Sequence, residues 1–181
     1  MSNFVYIGTS LDGYIADSNG GLDWLQMVPN PHNEDLGMDE FMAGIDALVM
    51  GRNTFEAVCG FDVDWPYSKP VFVLSSTLKG IPVEYQDKAE LVSGSLEEVV
   101  ETLHRKGFNN LYIDGGKTVQ SFLQADMIDE MIITRVPILL GDGIPLFGSL
   151  PEHMTFEHVS TKVLLDAMVQ SHYQRKNLTT G

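Results

Sequence analysis

A chain of 181 residues that is 44% hydrophobic and 20% charged is long enough to bury one full core and too short for two large domains. Eleven Lys and Arg against 25 Asp and Glu give a formal net charge of -14, which repels phosphate backbones and anionic lipid and so excludes nucleic acid and membrane surfaces as natural partners. The single Cys59 excludes an internal disulfide, and with neither a basic leader nor an apolar run of about 18 residues the expectation is a cytoplasmic protein.

The first strand is expected at residues 4–8. Met38, Phe41, Met42 and Ile45 then follow helical spacing, ahead of a continuous apolar strand at 47–50. A short helix around 54–58 follows, with Asn53 and Glu56 in a capping arrangement, and then strands at 70–74 and 90–93. Leu96, Val99, Val100 and Leu103 predict a second amphipathic helix, which Ser95 and Glu98 open as a capping box and Gly107 closes. A strand at 111–113 leads to a helix after Gly116, marked by Val119, Phe122 and Leu123. A long strand at 129–140 and two tail strands at 154–162 and 167–175 complete the pattern. Strand and helix alternate as far as about residue 137 and give way to a loop and a β-hairpin. That order predicts an α/β domain with a mostly parallel sheet and an antiparallel C-terminal addition.

Two strand-to-helix junctions concentrate the chemistry. One is Val49-Met50-Gly51-Arg52-Asn53-Thr54, the other Ile113-Asp114-Gly115-Gly116-Lys117-Thr118. Such junctions lie at the carboxyl ends of strands, where free helix N–H groups and the helix dipole favour an anion. Arg52 and Lys117, two of only eleven cations, directly follow the glycines. Two anion sites suit a dinucleotide, and Ser75 and Ser76 add hydroxyls at a third strand end. Glycine also serves such turns for backbone geometry alone. The five histidines show no metal-ligand spacing, and no serine or cysteine has a nucleophile setting. His104 is expected on the polar side of its helix, and Trp24 either as a stacking surface or as a buried aromatic beneath a loop.

Taken in order, Val49-Met50-Gly51-Arg52-Asn53-Thr54-Phe55-Glu56, Val73-Leu74-Ser75-Ser76 and Ile113-Asp114-Gly115-Gly116 resemble the NADPH-binding segments of the dihydrofolate reductase fold. Ser10-Leu11-Asp12-Gly13-Tyr14-Ile15-Ala16, Asp23-Trp24 and Gly141-Asp142-Gly143-Ile144-Pro145-Leu146-Phe147 resemble the branch holding the reductase domain of the bifunctional riboflavin-biosynthesis deaminase-reductase. The resemblance implies one three-layer α/β/α domain over residues 1–181, with a central, mostly parallel sheet of about eight strands and an antiparallel C-terminal hairpin. It implies NADPH as cofactor, with Gly51, Arg52, Asn53 and Thr54 at the adenosine-side phosphates and Ser75 and Ser76 at the 2′-phosphate. Gly115, Gly116, Lys117 and Thr118 would meet the pyrophosphate, and Gly8, Thr9 and Ile15 the nicotinamide. It further implies a small-molecule substrate, reduced as 5-amino-6-(5-phosphoribosylamino)uracil is, and a homodimer. Asp12 is the candidate for a polar substrate or proton-transfer contact and Trp24 for a pocket wall. No PCxxC is present, so the likeness extends to the reductase half only. Reduction of another heteroaromatic or pterin substrate, or nucleotide binding without turnover, are the alternatives.

Overall fold

A computed structural model describes residues 1–176. The chain forms β1 (Ser2–Thr9), β2 (Tyr14–Ala16), a 3-10 turn (Asp23–Gln26), α1 (Met38–Ala43), β3 (Ala47–Gly51), α2 (Arg52–Cys59) and β4 (Val71–Leu74). A second 3-10 turn (Val83–Tyr85) precedes β5 (Ala89–Val92), α3 (Leu96–Arg105), β6 (Asn110–Asp114), α4 (Gly116–Gln124), β7 (Glu130–Arg135), β8 (Ile144–Pro145), β9 (Phe156–Leu164) and β10 (Met168–Arg175). Eight strands make one sheet in the order β5-β4-β3-β6-β1-β7-β10-β9. The first six run parallel, while β10 pairs antiparallel with β7 and with β9.

Side-chain alternation along the parallel strands sorts the core onto two faces. Ala47, Val49, Leu111 and Ile113 meet Val99, Val100 and Leu103 of α3 and Val119, Phe122 and Leu123 of α4. Leu48, Met50 and Tyr112 point the other way, to Phe55 of α2 and to Phe41 and Met42 of α1. The chain steps outward from β3 to β4 and β5, returns to insert β6 between β3 and β1, and then crosses β1 to reach β7. The crossovers therefore diverge at β3 and β6, and α2 and α4 lie on opposite faces. In open α/β sheets ligands occupy the crevice at such a switch point.

Several expectations are corrected. The strand expected to reach residue 140 stops at Arg135, since Pro137 has no N–H to continue a ladder and the chain folds back so that Ile138 N–H donates to Val136 O (2.8 Å). α2 begins at Arg52 with Gly51 as its N-cap, so Asn53 lies inside the helix and caps nothing, while Glu56 pairs with Arg52. Met38 is exposed at the start of α1 instead of facing the core. His104 is half-buried, with Nε2 enclosed and unpartnered. The two-stranded ribbon of β2 and β8 was not expected, and it closes over the start of α4. The capping box of Ser95 and Glu98 is present on α3, and Gly107 follows that helix in the left-handed region at φ 94°.

Candidate functional site

In-register pairing of Met50 with Asp114 sets Gly51 and Gly115 side by side at the carboxyl ends of β3 and β6. The two turns interlock. A Cβ on Gly115 would collide with Thr54 Oγ1, and one on Gly51 would come within 2.7 Å of Thr118 Oγ1. The third residue of each helix thus packs over the glycine that opens the other. Gly115 also has φ 96°, which L side chains rarely adopt. Neither N-terminus has a side-chain cap or an acid in its first turn, in contrast to α3, where Ser95, Glu97 and Glu98 occupy that end. The first N–H groups of α2 and α4 are therefore left without intrahelical or capping acceptors. The glycine cradle and the uncapped amides fit a bridging pyrophosphate.

The cations stand around this pair. Lys117 is exposed on the first turn of α4. Arg52 is exposed at the start of α2, where Nε donates to Glu56 Oε1 (2.8 Å) and Nη1 to Thr77 Oγ1 (3.1 Å). Ser75 Oγ accepts the N–H groups of Thr77 (3.2 Å) and Leu78 (3.0 Å), which fixes the turn after β4. Ser76 and Asn53 are exposed beside it. On the β1 side Ile15 Cδ1 sits 2.7 Å from where a Gly116 Cβ would be, and Gln120 Nε2 donates to Pro145 O (2.9 Å), so the ribbon is fastened to α4. Thr9 is buried and offers backbone, its carbonyl accepting from Val136 N–H (2.8 Å). Gly8 lets Leu25 approach, with Leu25 Cδ2 2.9 Å from a Cβ placed there.

The two residues expected at the substrate are engaged elsewhere. Asp12 Oδ1 accepts from Ser10 Oγ (2.6 Å) and Leu140 N–H (3.2 Å), and Oδ2 from Gly141 N–H (2.8 Å). The Ser10 hydroxyl, helped by those two amides, holds the carboxyl below its ordinary value, which suits a loop tie better than a proton donor. Trp24 is 8% exposed among Val28, Val136 and Met168, and its Nε1–H donates to Gly21 O (3.2 Å).

A residue with no role assigned from sequence lies at the crevice itself. Asp114 is the last residue of β6 and shares the face of Tyr112. Burial pushes its carboxyl up to about 6, against one hydrogen bond from Gly115 N–H (2.9 Å) that pulls it down. Its charge in turn helps raise the phenols of Tyr67 and Tyr112, for which burial is the larger cause. The sequence signal was an acid closing an otherwise apolar strand, directly before the double glycine. A cleft of about 400 Å³ between Lys69 and Lys88, which Tyr67 also lines, opens at the amino ends of β4 and β5 and not at the glycine turns.

The sequence profile of the RibD C-terminal domain matches residues 4–169. The chain belongs to the RibD C-terminal domain family. A crystal structure from Shewanella sp. PV-4, of a protein provisionally assigned to riboflavin biosynthesis, is 56% identical and superposes with a TM-score of 0.96 over 98% of this chain and 100% of that one. The Thermotoga maritima diaminohydroxyphosphoribosylaminopyrimidine deaminase/5-amino-6-(5-phosphoribosylamino)uracil reductase is 14% identical, with a TM-score of 0.73 over 97% of this chain and 56% of its own. Dihydrofolate reductase from Enterococcus faecalis, solved with NADP(H), is 18% identical, with a TM-score of 0.63 over 97% of each chain. This RibD C-terminal domain therefore has the dihydrofolate reductase-like fold that its motifs resemble.

Proposed function

We propose that the protein is an NADPH-dependent reductase whose reaction resembles the riboflavin-pathway reduction of a ribosylamino-pyrimidine. The observation that carries this reading is the pair of uncapped, acid-free helix N-termini interlocked at the switch point, with a raised carboxyl beside them. When bound, NADPH supplies a hydride to C1′ of the ribosylamino group; the C1′–O bond of the sugar ring breaks and its oxygen takes a proton. The amides of α2 and α4, with Arg52, Asn53, Thr54, Lys117 and Thr118, hold the two phosphates. Ser75 and Ser76 flank a 2′-phosphate, which favours NADPH over NADH. Gly8, Thr9 and Ile15 line the side against which the nicotinamide is oriented, and Gly115 and Gly116 stay with the pyrophosphate. Asp114 donates or relays the proton, since a group near pKa 6 can hold and release one close to neutral pH. Asp12 and Trp24 shape the pocket by fixing its loops. The proposal includes a homodimer, for which the exposed edge strand β9 offers a surface.

Titration with NADPH and NADH, followed by NADPH oxidation with candidate pyrimidine and pterin substrates, tests the reading. Tighter binding of NADPH with turnover of a pyrimidine is expected, whereas no binding of either nucleotide overturns it. A nucleotide-binding module without turnover is the second reading, favoured by the engagement of Asp12 and Trp24 in packing, and tight NADPH binding with no oxidation of any candidate would select it.

A further inference from the structure

Resting on the reductase reading above, we infer that the substrate is an unphosphorylated nitrogen heterocycle, neutral or protonated at neutral pH, and not a sugar phosphate. Asp114, the proposed proton donor, shares the face of Tyr112, so the substrate is placed on the side of the crevice that carries α1 and α2. Aromatic contacts run along that face from the crevice. Tyr112 meets Phe41 edge-on at 5.1 Å, Phe41 stacks on Tyr6 at 4.5 Å, and the Tyr6 hydroxyl donates to Leu36 O (2.7 Å), one residue after Asp35. β1, β2, the first 3-10 turn, α1 and β3, with the loops between them, all fall within residues 1–51.

Those 51 residues contain eight Asp and Glu and not one Lys or Arg. The backbone there offers no substitute for a cation. α1 has six residues with Asp39 and Glu40 in its first turn, and the Asp35 carboxylate already accepts from Gly37 N–H (3.1 Å) and Asp39 N–H (2.9 Å). Arg52, which donates to Glu56 and Thr77, serves the nucleotide phosphates in the reading above and is not counted again for the substrate. Lys162 of β9 lies against this wall, its Nζ 3.7 Å from the position of a Gly37 Cβ. One exposed lysine among Glu34, Asp35, Asp39 and Glu40 does not offset them. At physiological salt, charges within about 8 Å are only partly screened, so a phosphate dianion entering this side of the crevice meets net repulsion. A neutral or protonated heterocycle does not.

The test compares 5-amino-6-(5-phosphoribosylamino)uracil with its phosphatase product on the NADPH-loaded protein, by quenching of bound NADPH fluorescence and by NADPH oxidation. The dephosphorylated compound is expected to bind about tenfold more tightly, and that preference should shrink as NaCl rises from about 20 to about 300 mM and repulsion is screened. Lys162→Ala should leave the preference in place. Equal or tighter binding of the phosphorylated compound overturns the inference, as does a Lys162→Ala variant that selectively loses it. Binding of neither compound also overturns it, while intact NADPH binding in the same samples leaves the hydride-donor reading standing. Failure of NADPH itself to bind removes both.

Discussion

Asp114 and Gly115 carry opposite kinds of strain at adjacent positions. An acid whose native pKa is about 6 against an ordinary 3.8 holds its proton more tightly in the folded state. Its contribution to stability is therefore most favourable below about pH 4, declines as pH rises to about 6, and is level above that. Asp114→Asn should raise stability at pH 7 to 8 by up to about 3 kcal/mol and leave it unchanged near pH 4, as read by urea melts at the two pH values. The same variant should lose turnover, because activity and stability make opposite demands on this carboxyl. An equal effect at both pH values would mean that the carboxyl is not desolvated. Gly115→Ala forces a Cβ into Thr54 at a positive φ and should cost about 1–3 kcal/mol, together with NADPH binding. Gly51→Ala, at an ordinary φ of -78°, needs only a shift of the Thr118 hydroxyl and should be milder in both readouts.

Among the elements, the β2–β8 ribbon covers the start of α4, and Asp12 ties the turn before β2 to residues 140 and 141. Asp12→Asn should lower the melting temperature and raise KM while leaving the pH profile of kcat in place; collapse of kcat with a changed profile would restore a proton-transfer role to Asp12. Ser95→Ala on α3 is the matching control, expected to cost about 1 kcal/mol in a denaturant melt with no change in NADPH affinity. Periodicity revealed α3 and α4 because each buries a continuous apolar stripe, and the eight sheet strands because most are apolar runs. The ribbon was hidden because two and three residues are too few to show a period. The glycine turns were legible as a motif, but their reciprocal threonine contacts are tertiary and have no local signal. For Asp12 and Trp24 the sequence leaves both readings open, because an Asp-Gly turn and a loop tryptophan look alike whether they face a ligand or the core. Asp114 reads in the sequence only as part of the glycine junction, because only the sheet register shows that its half-buried carboxyl sits beside the Gly51 turn.

For the molecule as a whole, the proposed function asks a net charge of -14 to coexist with an anionic dinucleotide. The fold reconciles them by presenting amides from two helices where the chain also places Arg52 and Lys117, and by keeping acids out of both first turns. Association of NADPH should accordingly speed up as salt screens the long-range repulsion, the reverse of what a basic protein would show in stopped-flow mixing. The most direct test of the paired-terminus site is an equilibrium fluorescence titration with NADPH of the native protein and of Lys117→Ala side by side. The account predicts saturable binding, one nucleotide per chain, weakened about tenfold in the variant at an unchanged melting temperature. Absence of saturable binding, or identical affinities for the two proteins, would contradict it.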